Sequence, residues 1–276
     1  MNLKVAQLNK RLAIIVHDPL RALRALRALR ARLHRLPYQL GVISPWPGSF
    51  LAYVPDRYSG NAQAALRRSG ISLASAVRGF VRHNRANNAG DLVRLHLFNL
   101  IFEQIVKEGI PGDLAELGVY KGNTAVLLGE FARAKGRRVY LFDTFQGFSP
   151  RDIRGMDADK KAEFADTSLS GVQSLVGSEG VEYVVGHFPG STSQIARETS
   201  FCMVHLDCDL YLPMKAGLDY FFPRLAPGGF LVIHDYSSLN WDGAERALDE
   251  FLADKAERLV PIPDKSGTAV IRKLFQ

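Results

Sequence analysis

From Asp113 onward, short apolar runs alternate with longer helix-favouring stretches. The runs are LAEL (114–117), RRVYLFD (137–143), VEYVVGHF (181–188), FCMVHLD (201–207), GFLVIHD (229–235), RLVPI (258–262) and TAVIRK (268–273). Helical patterns fall between them over 123–135, 168–177, 190–198, 212–224 and 242–256. Near-continuous β-runs separated by helices predict parallel strands buried on both faces. The last two runs leave no room for a crossover helix between 262 and 268, so they predict an antiparallel hairpin at the sheet edge. The expected fold class is therefore α/β, a mostly parallel seven-stranded sheet ending in an antiparallel hairpin.

Residues 1–112 read differently, as a basic helical extension with loops, and Pro111-Gly112 is the expected boundary with a domain over 113–276. Leu20–Leu36 reads L-RAL-RAL-RAL-R-A-R-L-H-R-L, a helix that Pro37 stops. Its three-residue repeat drifts around a 3.6-residue helix, so Leu and Arg spiral and hold no fixed face. Residues 43–60 are irregular and rich in aromatic residues, Pro and Gly. Residues 71–109 read as two helices, with Leu92, Leu95, Leu97, Leu100, Ile101 and Ile105 as an apolar face.

Charge sharpens that boundary. Residues 1–112 carry 17 Lys+Arg against 5 Asp+Glu, and residues 113–276 carry 18 against 23, within a net charge of +7. The basic helix suits anionic lipid, an acidic partner or nucleic acid, or else a solvated arm that packs on a second subunit. The two cysteines, Cys202 and Cys208, adjoin an apolar run and read as core filler, which points to a reducing, cytoplasmic setting. No run of 18 apolar residues occurs, and the first 20 residues lack a signal-peptide pattern.

The candidate chemistry sits at the strand ends. FCMVHL runs into Asp207-Cys208-Asp209, and GFLVI runs into His234-Asp235. Neighbouring parallel strands lie about 4.8 Å apart, which would set Asp207 beside Asp235 at the carboxyl edge, where open α/β sheets bind ligands. Converging carboxylates repel each other unless a hard cation such as Mg²⁺ neutralises them. The first βα turn is Glu116-Leu-Gly118-Val-Tyr-Lys-Gly122-Asn123-Thr124, in which Asn123 or Thr124 is a candidate helix cap. It lacks the G-x-G-x-x-G of dinucleotide sites. The second strand ends in Asp143, a residue type that suits a ribose diol; an ordinary βαβ unit with caps or salt bridges is the alternative.

The strings ELGVYKGNTA (116–125), FDTFQGF (142–148), LDCDLY (206–211), PRLAPGGF (223–230) and HDY (234–236) resemble, in order and spacing over roughly 105–273, the macrocin O-methyltransferase family. Residues 1–70 carry no such resemblance. The resemblance implies a Rossmann-like methyltransferase sheet and S-adenosyl-L-methionine as cofactor. It implies that Glu116, Gly118, Val119, Tyr120, Gly122, Asn123 and Thr124 surround the methionine portion. Asp143, Thr144 and Phe145 are placed at the ribose and Gly186, His187 and Phe188 near the adenine, with Asp207 also at the cofactor. His187 reads as well as an exposed histidine, and Ser191 and Thr192 as helix caps.

The same resemblance implies a divalent cation, with Asp207 and the pair His234-Asp235 as metal ligands and Asp209 as general base. Relatives with metal dependence tend to have Asp-Asp where this chain has His234-Asp235. Imidazole is less suited to Mg²⁺ than a carboxylate. His234 is therefore open to three readings: a bystander to a metal held by Asp207 and Asp235, a ligand of Mn²⁺, Zn²⁺ or Fe²⁺, or a catalytic base without metal. His205, inside a buried run, reads as a core histidine. Tyr211 suits either the acceptor pocket or aromatic packing, and Pro213 suits a first helical turn. The long polar connection 149–171 reads as a cover over the site.

The expected activity is O-methylation of a hydroxyl on a sugar or glycosylated metabolite. The expected partners are a hydroxyl-bearing small molecule or glycan, a second copy of the chain, and a peripheral membrane contact through the basic helix, with no nucleic acid. A metal-dependent nucleotide-sugar glycosyltransferase using D-x-D is the alternative enzyme, and a non-catalytic cofactor-binding module the alternative outside enzymes.

Overall fold

A computed structural model describes residues 69–71 and 91–275. The basic helix of 20–36, the loop of 43–60 and the first of the two helices expected within 71–109 lie outside the described residues. Helix α1 (Leu92–Glu108) is followed by β1 (Asp113–Leu117), α2 (Ala125–Lys135), β2 (Val139–Asp143), α3 (Leu169–Val176) and β3 (Val181–Val185). Then come β4 (Phe201–Leu206), α4 (Tyr211–Arg224), β5 (Leu225–Ile233), α5 (Asp242–Leu252), β6 (Leu259–Pro261) and β7 (Ala269–Arg272).

The seven strands form one sheet in the order β3-β2-β1-β4-β5-β7-β6. The first five pair in parallel, while β7 runs antiparallel to both β5 and β6, as the short 262–268 connection requires. Strand order reverses between β1 and β4, and the crevice at such a switch point is the expected ligand position.

Side chains alternate across this sheet into two apolar layers. Leu114, Leu141, Met203 and Val232 pack with α1 and α2, through Phe98, Phe102, Ile105, Leu128 and Phe131. Ala115, Phe142, Val204, Leu206, Leu231 and Ile233 pack on the other face, with Met214, Phe221 and Leu248 from α4 and α5. Helix α1 forms because Leu95, Phe98, Ile101, Phe102 and Ile105 recur at three- and four-residue spacing and are all buried, whereas Leu100 is exposed. Phe102 stacks on Phe131 at 4.3 Å between centroids. Burying such a ring stabilises the fold by about 1.5–3 kcal/mol.

One expected helix is not a full helix. Within 190–198 only a 3-10 turn forms, Gly190–Gln194, because Gly-Ser-Thr-Ser favours turns over helix interiors. The polar connection 149–168 is irregular apart from a 3-10 turn, Gly155–Asp157. Among the described residues no helix is long and apolar enough to cross a membrane.

Candidate active site

The strand pairing continues past the ends of the strands. Leu117 pairs with Leu206, and Leu206 with Ile233. Beyond them, Asp207 N–H donates to Leu117 O at 2.8 Å and His234 N–H to Leu206 O at 2.9 Å. These bonds set Gly118, Asp207 and His234 side by side at the carboxyl edge. Gly118 must be glycine: φ is +87°, and a Cβ there would lie 1.9 Å from Asp207 O.

Above this edge opens a cavity of about 460 Å³. It is lined by Glu116, Gly118, Val119, Tyr120, Asn123, Thr124, Asp143, Thr144, Gly186, His187, Phe188, Asp207, Asp209, His234 and Asp235 among the sequence-derived candidates. Gly122 and Phe145 are not among the lining residues. The missing Cβ of Gly122 faces Val172, Leu175 and Val176 of α3, and the Phe145 ring is buried in the core. Thr124 occupies the cap position of α2 but makes no side-chain capping bond, and the Asn123 Oδ1 is buried without a partner, so neither acts as the expected cap.

Asp143 is held by the turn it faces. Its Oδ2 accepts the N–H groups of Val119 and Tyr120 at 2.7 and 2.9 Å, and its Oδ1 accepts that of Phe145 at 2.7 Å. Tyr120 and Phe145 reach it with φ of +49° and +53°, backbone turned inward at both loops. A carboxylate offers roughly four acceptor positions, so this one keeps capacity for a hydroxyl after serving three amides.

The acidic group is compact and internally partnered. His234 Nδ1 lies 2.8 Å from Asp207 Oδ1 and 2.5 Å from Asp235 Oδ2. Donor atoms of Asp207, His234 and Asp235 all lie within 4.8 Å of one another. Asp209 lies beside Asp235, and both adopt the left-handed conformation, with φ of +60° and +61°. On the far side Arg94 of α1 places Nη1 3.5 Å from Asp207 Oδ2 and Nε 2.9 Å from Asp91.

Beneath these groups, His205 Nδ1 meets Glu116 Oε1 at 2.9 Å, so His205 is a partnered core histidine. A profile of the family described as Macrocin-O-methyltransferase (TylF) matches residues 87–265, which span α1 and the whole edge just described. The chain belongs to the macrocin O-methyltransferase family. Among its relatives is the 8-demethyl-8-(2,3-dimethoxy-alpha-L-rhamnosyl)-tetracenomycin-C 4'-O-methyltransferase of Streptomyces olivaceus. It is 30% identical over 159 residues, which are 53% of this chain and 61% of that one. The mycinamicin III 3''-O-methyltransferase of Micromonospora griseorubida is 29% identical over 187 residues, 62% of this chain and 69% of that one. Among solved structures, the O-methyltransferase NovP shares the fold, with a TM-score of 0.57 at 24% identity over 72% of this chain and 89% of that chain.

In this family member the electrostatics divide the site. Burial opposes a charge on His234, but Asp207 and Asp235 beside it outweigh burial and Arg94, holding the imidazole protonated well above its usual value. Burial would raise Asp207, yet the charges of His234 and Arg94 and the hydrogen bond from His234 hold it below the usual carboxylate range. Burial and the neighbouring Asp235 and Asp207 push Asp209 well above that range. Burial raises Glu116 in the same direction and lowers His205 to about 3, so the pair beneath the site is electrically neutral.

Several lining residues carry no sequence signal of their own. Arg94 lies 113 residues from Asp207. Phe148, Phe164 and Trp241 form an aromatic wall, with Phe148 5.0 Å from Phe164 and 5.6 Å from Trp241 between centroids. Tyr211 is absent from the lining; its hydroxyl donates to Glu250 at 2.7 Å, leaving packing on α5 as its role. The connection 149–168 does border the cavity, through Ser149, Asp152, Phe164 and Thr167.

Proposed function

We propose that this protein is an S-adenosylmethionine-dependent O-methyltransferase acting on a hydroxyl of a sugar or glycosylated metabolite. The observation that carries this reading is one cavity that joins the Gly118 turn and Asp143 at one end to Asp207, Asp209 and Asp235 at the other. S-Adenosylmethionine, when bound, supplies an electrophilic methyl group. The close backbone approach that Gly118 allows and the free acceptor capacity of Asp143 suit its methionine and ribose portions.

The chain's own task is to orient and deprotonate a weak nucleophile. Asp209, with its affinity for a proton raised by burial and by Asp235, is the general base; a base whose pKa lies nearer the working pH removes a proton more effectively. The aromatic wall of Phe148, Phe164 and Trp241 excludes water and offers flat faces to the acceptor. Orientation itself contributes several powers of ten in rate.

A divalent cation fits the carboxylates of Asp207 and Asp235, which converge with His234 Nδ1 within 4.8 Å; the imidazole could join them only after losing its Nδ1 proton. Bound there, the cation would lower the pKa of an acceptor hydroxyl. Until a cation binds, the protonated His234 bridges the two side chains, 2.8 Å from Asp207 Oδ1 and 2.5 Å from Asp235 Oδ2. Mg²⁺ is the cation we favour for Asp207 and Asp235.

Calorimetry with S-adenosylhomocysteine on the full chain and on Asp143→Ala tests the cofactor assignment. Micromolar binding that the variant loses is expected, and no binding by the wild type would refute the assignment. Transfer of a labelled methyl group to a glycoside panel, with Mg²⁺ and with a chelator, then tests the reaction. The glycosyltransferase alternative is favoured only if nucleotide sugars bind in place of S-adenosylhomocysteine.

A further inference from the structure

Asp157 is a buried carboxylate with no part in the reaction outlined above. It ends the 3-10 turn of the connection that covers the cavity, and it is 1% exposed. Its Oδ2 accepts the N–H of Tyr211, the first residue of α4, at 2.7 Å. Helix α4 has no side-chain cap of its own, because Leu210 stands at the cap position. A carboxylate at a helix N-terminus satisfies an otherwise unpaired donor and complements the helix dipole. Here the cap comes from a different part of the chain.

The neighbouring helix makes room for it. A Cβ at Gly243, near the start of α5, would lie 2.9 Å from both oxygens of Asp157 and 2.6 Å from Tyr211 N. Only glycine lets the carboxylate reach the end of α4. The capped residue follows Asp209 by two positions, and Asp209 holds a left-handed φ of +60°. Such a conformation is uncommon at a non-glycine residue and is held by the surroundings that impose it.

Other ties seat the same connection on the loops around the site. Asp152 bonds His187 Nε2 at 2.8 Å, Lys160 donates to Asn240 O at 2.8 Å, and Asp166 accepts from Tyr120 Oη at 2.7 Å. Asp157 differs from Asp152, Lys160 and Asp166 in being itself buried, and its bond reaches the segment that carries Asp209.

We propose that Asp157 is a positioning residue: by capping α4 from the covering connection, it fixes the backbone that aims Asp209 and makes that aim depend on the cover being seated. This inference rests on the O-methyltransferase reading and deepens it.

The test uses the full chain and Asp157→Ala, Asp157→Asn and Asp157→Glu. Each is assayed for S-adenosylhomocysteine affinity, for kcat and acceptor KM, and for tryptic cleavage at Arg151, Arg154 and Lys160. Misplacing a reacting group by about 1 Å can cost about 100-fold in rate, so Asp157→Ala is expected to lower kcat about 10- to 100-fold. Cofactor affinity and acceptor KM should stay within about threefold of wild type, and cleavage should become faster; a change confined to kcat is the mark of lost orientation. Asp157→Asn keeps an oxygen acceptor for the amide and should return kcat to within about threefold. If Asp157→Ala does not fold, Asp157→Glu carries the test: it keeps the charge but moves the oxygens by one methylene, and kcat should fall about tenfold.

Unchanged kcat in the folded Ala or Glu variant would overturn the proposal. So would a loss that Asp157→Asn does not rescue, or an equal loss of cofactor affinity. A wild type that binds cofactor but transfers no methyl group would instead overturn the functional reading, and the positioning role with it.

Discussion

Glu116 Oε1 and His205 Nδ1 lie 2.9 Å apart in a fully buried pair beneath the carboxyl edge of β1 and β4. Burial raises the acid and lowers the imidazole, so the contact is a neutral hydrogen bond. A neutral pair needs no charge at residue 116, only a partner of the same shape. Glu116→Gln should therefore stay within about 1 kcal/mol of wild-type stability, whereas Glu116→Ala, which strands His205, should cost about 2–3 kcal/mol. Urea unfolding of the two variants checks the difference.

Asp207 and His234 give the cation-free protein a pH window. The Asp207 carboxyl is held below its ordinary 3.8, so its contribution is present above that value and is lost as pH falls through the depressed one. His234 is raised above its ordinary 6.5, so its contribution is complete below 6.5 and is lost as pH rises through the elevated value. Both contributions are complete only between 3.8 and 6.5. The melting temperature measured in chelator should peak in that interval, and His234→Asn should lessen the decline on the alkaline side, to which the raised Asp209 and Glu116 also contribute.

Asp209 has the proton affinity of a base and sits among the acidic side chains. Its replacement by Asn should lower kcat by about 100- to 10,000-fold. S-Adenosylhomocysteine affinity should remain within a few-fold by calorimetry. In the wild type, kcat should rise with pH through a group that titrates well above 3.8, and that limb should be absent from the residual activity of Asp209→Asn.

Gly118 allows β1 and β4 to meet. Adding one methyl group sets it 1.9 Å from Asp207 O, with φ at +87°. Gly118→Ala should destabilise the fold by at least about 2 kcal/mol and abolish cofactor binding. Thermal unfolding together with cofactor calorimetry measures both effects.

Trp241 belongs to the wall of the cavity, packed against Phe148 and Phe164. Trp241→Ala should raise acceptor KM about tenfold and leave the cofactor dissociation constant unchanged, as loss of one stacked face predicts. Steady-state kinetics with the two substrates varied in turn separates these constants.

The sequence by itself determined the strands, the helices from Ala125 onward except the one expected over 190–198, the antiparallel hairpin after 258, and the acids at the ends of β2, β4 and β5. These follow from local patterns: apolar runs of strand length, helical spacing between them, and a connection too short for a crossover. Family membership was also legible in the strings around Gly118, Asp143, Asp207 and His234. Only the tertiary structure decided what those residues touch. Asp143 reads as an acid at a strand end, but its bonds to Val119, Tyr120 and Phe145 depend on two loops with positive φ. Arg94 reads as one more cation of a basic region, and packing of α1 on the sheet brings it to Asp207, 113 residues away. Asp157 reads as an exposed acid in a polar connection, and it is buried because Gly243 leaves a space for it. Periodicity encodes which face of an element is buried, but contacts between distant residues are fixed only when whole elements pack together.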